Sequence, residues 1–150
     1  MSFFIIYLLP YLLVFFMHEW ALAEGVISTL LNFMNKEKLE RIIEANIIFG
    51  ELQQVDIDAF KYALEELSKD TPLRDTKFIF TIEKAEFRCR VCGHKWSFEQ
   101  QREMLDEDIA EAIHFVPELA HSFIKCPNCG STDFEVVKGR GVYIGEITVE

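Results

Sequence analysis

Residues 89–94 read CRVCGH and residues 126–131 read CPNCGS, and these two stretches decide the fold. They hold all four cysteines of the chain: Cys89, Cys92, Cys126 and Cys129. A C-x-x-C turn directs two sulfurs at one ion, and two such turns supply the four-sulfur set that structural zinc prefers. The glycine after each pair lets backbone N–H groups approach the sulfurs. The sequence therefore predicts a structural zinc site with no open catalytic position.

Other chemistries share this cysteine pattern. Two disulfides would need an oxidising compartment, and a redox dithiol needs one pair rather than two matched pairs. Iron in a rubredoxin-like site uses the same geometry as zinc, so the sequence leaves iron open. The alternative function is therefore a rubredoxin-like iron electron carrier, tethered to a membrane by its apolar N-terminus.

The segment between the cysteine pairs is long for a zinc ribbon. It has 33 residues, 93–125, where the usual spacing is roughly 15–20. Apolar residues within 102–117 predict a short amphipathic helix that Pro117 would stop. We expect a zinc-binding module over residues 86–138, and we expect removal of the metal to unfold it.

The remainder of the chain alternates between helical and strand patterns. Apolar residues recur every three or four positions over 20–33 and 57–67, which predicts two amphipathic helices. Alternation over 43–49 and 77–83, and a final apolar run over 142–149, predict three strands. We therefore expect an α+β fold in which two helices pack on a three-stranded sheet, with the zinc-ribbon-like module inserted before the last strand.

The first sixteen residues do not match the rest of the chain. Residues 3–16 read FFIIYLLPYLLVFF, without one charged side chain. The run is shorter than the roughly 17–20 residues of a spanning helix, and no Lys or Arg precedes it as in a signal peptide. We favour a misassigned start, with translation beginning at Met17. The alternatives are that the segment is a membrane anchor or signal, or that it is part of the folded core. Residues 1–16 are then an extension, and 17–85 plus 139–150 form the α/β domain.

The composition excludes several functions. The net charge is −10, from 15 Lys and Arg against 25 Asp and Glu, which disfavours binding to nucleic-acid phosphates. The sequence contains no Ser-His-Asp set, phosphate-binding loop or nucleotide-binding fingerprint. We therefore expect neither an enzyme nor a nucleic-acid-binding protein.

One ordered set of motifs resembles a known family. Residues 17–23 read MHEWALA, residues 49–52 read FGEL, the two cysteine pairs follow, and residues 145–150 read GEITVE. Together, in this order, they resemble the HypA/HybF family of nickel-incorporation chaperones for nickel–iron hydrogenase. The resemblance covers residues 17–150.

The resemblance implies a nickel metallochaperone. The family binds Ni(II) at an N-terminal Met-His-Glu, which corresponds to Met17, His18 and Glu19, and its zinc cysteines fall on the four cysteines above. Such a protein works in the cytoplasm, with no membrane association if translation starts at Met17. It carries Zn(II) as a structural ion and delivers nickel to the hydrogenase large-subunit precursor. The implied partners also include a HypB-type nucleotide-hydrolysing protein and, in some organisms, urease maturation proteins.

The chemistry of the Met-His-Glu motif suits nickel. Imidazole and deprotonated nitrogen are good Ni(II) ligands, and an α-amine with a pKa near 8 readily loses its proton to a metal. The Met17 amine, backbone amides and the His18 imidazole can wrap one ion, provided that Met17 is the first residue. His114, near the end of the insertion helix, is a candidate auxiliary nickel ligand. His94 and His121 are expected to be structural.

Overall fold

The structure, a computed structural model, describes residues 2–4, 19–53, 55–102 and 105–150, without the side chains of 2–4, 114, 115 and 117. These residues form two compact units. Of the described residues, unit 1 contains those within Met1–Ile48, Val55–Thr81 and Val142–Glu150, and unit 2 contains those within Phe49–Gln54 and Ile82–Gly141. The predicted α+β class is confirmed. The division into a nickel-binding domain and a zinc module stays a prediction.

Three stretches that the sequence assigned to the α/β domain cluster with unit 2: residues 49–53, 82–85 and 139–141. Backbone hydrogen bonds account for this. The Glu51 N–H donates to the Glu83 carbonyl at 2.8 Å, and the Leu52 N–H donates to the Gly139 carbonyl at 2.9 Å.

The larger sheet has four strands in the order β1-β7-β2-β3. The strands are β1 Ser2–Phe4, β2 Ile42–Gly50, β3 Lys77–Glu83 and β7 Val142–Val149. The three predicted strands are present, and β1 adds a fourth that the sequence did not predict, antiparallel to β7 with Phe3 opposite Ile147. Residues 5–18 lie outside the described residues, so the prediction for the apolar extension stays a prediction.

Two helices pack against each other in unit 1: α1, Glu19–Glu37, and α2, Ile57–Ser68. The Asp56 side chain caps α2 by accepting the Ala59 N–H at 3.1 Å. Phe60 of α2 is fully buried and meets the Phe80 ring of β3 edge-on at 6.0 Å, which places α2 on the sheet. Among the described residues, no helix is long and apolar enough to cross a membrane.

α1 is longer than predicted because its C-terminus is capped without a glycine. Lys38 adopts a left-handed φ of 52°. The Lys38 N–H donates to the Asn35 carbonyl, and the Leu39 N–H donates to the Met34 carbonyl at 2.9 Å. This pair of bonds is a Schellman motif, which satisfies carbonyls at the helix end.

Unit 2 contains its own antiparallel sheet, in the order β5-β4-β6. Its strands are β4 Glu86–Cys89, β5 Lys95–Ser97 and β6 Phe134–Lys138. The insertion contains more helix than the single one predicted: α3 Phe98–Arg102, α4 Glu107–Phe115, a 3-10 turn Pro117–Leu119 and α5 Ala120–Phe123. Pro117 ends α4 as predicted, but it also begins the next turn, where its missing N–H costs nothing.

An aromatic cluster forms the core of unit 2. Phe87, Phe98 and Phe134 are fully buried, and Trp96 is nearly so. The Phe87 ring centroid lies 5.3 Å from that of Phe134 and 5.6 Å from that of Trp96. Buried aliphatic residues such as Ile113 and Ile124 complete the cluster. Unit 2 is therefore stabilised by a hydrophobic core in addition to any metal it binds.

Candidate metal centres

The two cysteine loops fold in the same way. In the first, the Cys89 N–H donates to the His94 carbonyl at 2.9 Å, and the Gly93 N–H donates to the Cys89 carbonyl at 3.0 Å. In the second, the same two bonds join Cys126 with Ser131 and Gly130, at 2.8 and 2.9 Å. Gly93 and Gly130 have φ values of 77° and 75°, a left-handed conformation that glycine adopts without steric cost. Each loop therefore directs two sulfurs to one side.

The structure brings the four predicted cysteines together. Their sulfur atoms all lie within 4.8 Å of one another. The Cys89 and Cys129 sulfurs are 3.5 Å apart, and the Cys92 and Cys126 sulfurs are 3.6 Å apart. Zn–S bonds of about 2.3 Å in a tetrahedron require sulfurs about 3.8 Å apart, so the donor set fits zinc. In the part of the chain that the structure describes, no other group of three or more His, Cys, Asp or Glu side chains could hold a metal.

The cluster is half exposed. Cys89 and Cys126 are buried and belong to the core of unit 2, whereas Cys92 and Cys129 are exposed. The first cysteine of each loop thus anchors the site to the protein, and the second faces solvent.

Hydrogen bonds and sulfur neighbours shift the pKa values of the two exposed thiols in opposite directions. The Asn128 side-chain amide donates to the Cys92 sulfur at 3.5 Å and, with the His94 N–H, lowers the pKa of Cys92 to about 6. The Ser131 N–H lowers the pKa of Cys129, but the bond with Cys89, burial and the other sulfurs raise it to about 12. Four sulfurs this close cannot all lose their protons unless a cation lies among them, so the cluster favours a divalent metal.

The N-terminal motif is described only at Glu19, because Met17 and His18 lie outside the described residues. Glu19 is the first residue of α1, and its Oε1 accepts the backbone N–H of Asp56 at 3.1 Å. Since Asp56 caps α2, Glu19 ties the first turns of both helices together. The sequence revealed the cap on α2 but not this second bond, because the partners lie 37 positions apart.

The histidines of unit 2 take different positions. His94 stacks on Trp96, with ring centroids 6.1 Å apart, and His121 stacks on Phe134 at 4.4 Å. His114 lies in α4, but its side chain is outside the described part of the structure. Its assignment as an auxiliary nickel ligand stays a prediction.

The Glu19 bond leads to a stability prediction. Glu19→Ala removes the acceptor for the Asp56 N–H and is expected to lower the free energy of unfolding by roughly 0.5–1.5 kcal/mol. Glu19→Gln keeps an acceptor oxygen and is expected to stay close to the parent. Urea unfolding followed by circular dichroism measures both, and an equal loss in the two variants would contradict the bond.

The fold and the cysteine site together define a small two-unit protein with a helix-and-sheet unit and a four-cysteine, zinc-ribbon-like metal module. A family described as hydrogenase/urease nickel incorporation, metallochaperone, HypA matches residues 17–149. The chain belongs to this family, and the resemblance inferred from its motifs is confirmed.

Individual relatives agree with this assignment. The chain is 49% identical over 134 residues to the hydrogenase maturation factor HypA of Pyrococcus abyssi, covering 89% of this chain and 96% of that protein. It is 34% identical over 125 residues to that of Ignicoccus hospitalis, covering 82% and 89%. The solution structure of the Ni metallochaperone HypA from Helicobacter pylori has a similar fold. Its TM-score is 0.59 at 18% identity, over 89% of this chain and 97% of that chain.

Proposed function

We propose that this chain binds Ni(II) at Met17, His18 and Glu19 and delivers it to the large-subunit precursor of nickel–iron hydrogenase. Cys89, Cys92, Cys126 and Cys129 hold a structural zinc ion. The observation that carries the proposal is the family match, which begins at Met17, the first residue of the Met-His-Glu motif.

The nickel site requires a free amino group at Met17. The amine, backbone amide nitrogens and the His18 imidazole form a nitrogen-rich set that suits Ni(II). The bond between Glu19 and Asp56 leaves the Glu19 backbone amide as its natural contribution to the metal. A site made from a chain terminus has few ligands fixed by the fold, which favours reversible binding and transfer.

Zinc is the metal that we assign to the four cysteines. The ion would neutralise the thiolate charges and join the two loops, and it would not take part in nickel transfer chemically. The purified chain is expected to contain one zinc per molecule and to show no visible absorption. Strong visible absorption would instead identify a rubredoxin-like iron site.

A complementation assay tests the function. A cell that lacks its own nickel-incorporation chaperone and expresses this chain from Met17 is expected to regain hydrogenase activity. The His18→Ala variant is expected to fail, and added nickel is expected to restore part of the activity. His121→Ala is a matched control, because that histidine stacks on Phe134 in unit 2. Full activity of His18→Ala at low nickel would contradict the proposal.

The partner surface that we propose lies beside Glu19. Trp20 of α1 and Tyr62 of α2 are 43% and 61% exposed, and their ring centroids are 6.4 Å apart. Exposed aromatic side chains are frequent anchors of protein interfaces. The HypB-type nucleotide-hydrolysing protein is the partner we assign to this surface, because it works on nickel held next to it.

Replacement of Trp20 should weaken the complex with the HypB-type protein. Trp20→Ala is expected to raise the Kd for the HypB-type partner at least about tenfold, as hot-spot truncations do. Ile43→Ala, an exposed apolar residue of β2, is the control and is expected to bind normally. Biolayer interferometry measures both, and an unchanged Kd for Trp20→Ala would remove this surface from the interface.

A further inference from the structure

A side-chain hydrogen bond crosses from one cysteine loop to the other. Asn128 lies between Cys126 and Cys129 in the second loop, and its amide Nδ2 donates to the sulfur of Cys92 in the first loop, at 3.5 Å. The bond therefore joins the two loops through Cys92, one of the two exposed cysteines.

The backbone around the exposed sulfurs is alike in the two loops. Cys92 accepts the backbone N–H of His94, and Cys129 accepts that of Ser131, two positions on in each case. The position that matches Asn128 in the first loop is Val91, which is 67% exposed and has no side-chain donor. Cys92 therefore accepts a side-chain amide that the first loop, with valine at position 91, does not offer to Cys129.

We propose that Asn128 is a positioning residue of the metal site. It holds Cys92 in the ligand set, so that Cys129 is the ligand that leaves the metal more readily. A hydrogen bond to a thiolate withdraws charge from the sulfur, which lowers its reactivity toward electrophiles and opposes its departure from the metal. Electrophiles and chelators then open the site through Cys129 first. The inference rests on the zinc site proposed above.

Competitive labelling tests this asymmetry. The zinc-loaded chain is treated briefly with N-ethylmaleimide below one equivalent, and peptide mass spectrometry measures the labelling of each cysteine. In the parent, Cys129 is expected to react ahead of Cys92. Asn128→Val is expected to raise the Cys92 rate about tenfold, the lower end of the contribution of one hydrogen bond to a charged group. The Cys92 rate is informative because Cys92 lies in the first loop, whereas the substituted residue lies in the second.

A variant that adds an amide donor to the first loop provides a further test. Val91→Asn places an amide donor at the matching position of the first loop, where the side chain is 67% exposed and has little packing to lose. This variant is expected to slow the labelling of Cys129 and to delay zinc release to EDTA. If Asn128→Val fails to retain zinc, the order in which Cys129 and Cys92 react in the parent still tests the proposal.

The outcomes separate the two proposals. An unchanged Cys92 rate in a zinc-loaded Asn128→Val would overturn the role of Asn128 and leave the zinc site standing, and so would a Cys92 that reacts as fast as Cys129 in the parent. Absence of zinc from the parent, measured first by mass spectrometry of the metal content, would overturn the zinc site itself.

Discussion

Removal of zinc is expected to free the two cysteine loops while the helices of unit 1 keep their stability. The loops are joined through their sulfurs, and two of those sulfurs, from Cys92 and Cys129, are exposed. Without the ion, no metal–sulfur bonds hold the four cysteine side chains together. Metal binding contributes roughly 10–16 kcal/mol in zinc-finger peptides, so the effect is expected to be large.

Hydrogen exchange measures this effect residue by residue. After chelation, the amides that close the loops, on Cys89, Gly93, Cys126 and Gly130, are expected to exchange at least about 100-fold faster. Amides of α2, such as that of Phe60, serve as the internal control and are expected to be unchanged. Equal protection of the loop amides with and without zinc would contradict a structural role for the metal.

The aromatic core refines the expectation drawn from the sequence, that residues 86–138 unfold completely without metal. Phe87, Phe98 and Phe134 are buried against one another and against Trp96, and none of them is a metal ligand. Burial of each such side chain contributes roughly 1.5–3 kcal/mol. We therefore expect the amides of Phe87 and Phe134 to lose less protection than the loop amides.

Replacement of His18 by alanine is expected to abolish tight nickel binding. The variant loses the imidazole, the one strong side-chain ligand of the proposed set, and its Ni(II) affinity is expected to fall at least about 100-fold. The control is His121→Ala, which is expected to bind nickel as the parent does. Competition with a nickel chelator of known affinity measures both, and comparable affinities for His18→Ala and the parent would contradict the assignment.

Nickel binding by the parent is also expected to weaken as the pH falls from about 7.5 to about 6. The imidazole, with an ordinary pKa near 6.5, and the α-amine, with one near 8, must be deprotonated to bind metal. Protons therefore compete with nickel more strongly at the lower pH. An affinity that does not change across this window would exclude that ligand pair.

The sequence predicted the features that depend on local pattern. The helix over residues 57–68 follows from its apolar spacing and the Asp56 cap, and β3 follows from the alternation over 77–83. The cysteine cluster follows from two identical spacings, because each C-x-x-C turn has a conformation set by its own residues. The length of α1 was underestimated because its end depends on Lys38 in a left-handed conformation that usually indicates glycine or asparagine.

Features that depend on distant parts of the chain were not predictable. The pairing of β1 with β7 joins residues more than 140 positions apart. The bond from Asp56 to Glu19 and that from Asn128 to Cys92 appear only once the helices and the loops have been brought together. The aromatic core of unit 2 draws on three separate stretches of chain, around Phe87, Trp96 to Phe98 and Phe134, and no periodic pattern marks it.

Nickel titration of two forms of the chain tests the central claim most directly. One form begins at Met17, with a free amine, and the other is the 150-residue chain, in which the Met17 nitrogen is part of a peptide bond. Isothermal titration calorimetry at about pH 7.5 is expected to show one tight Ni(II) site in the first form and a site at least about 100-fold weaker in the second. Equal affinities would contradict a nickel site built on the Met17 amine.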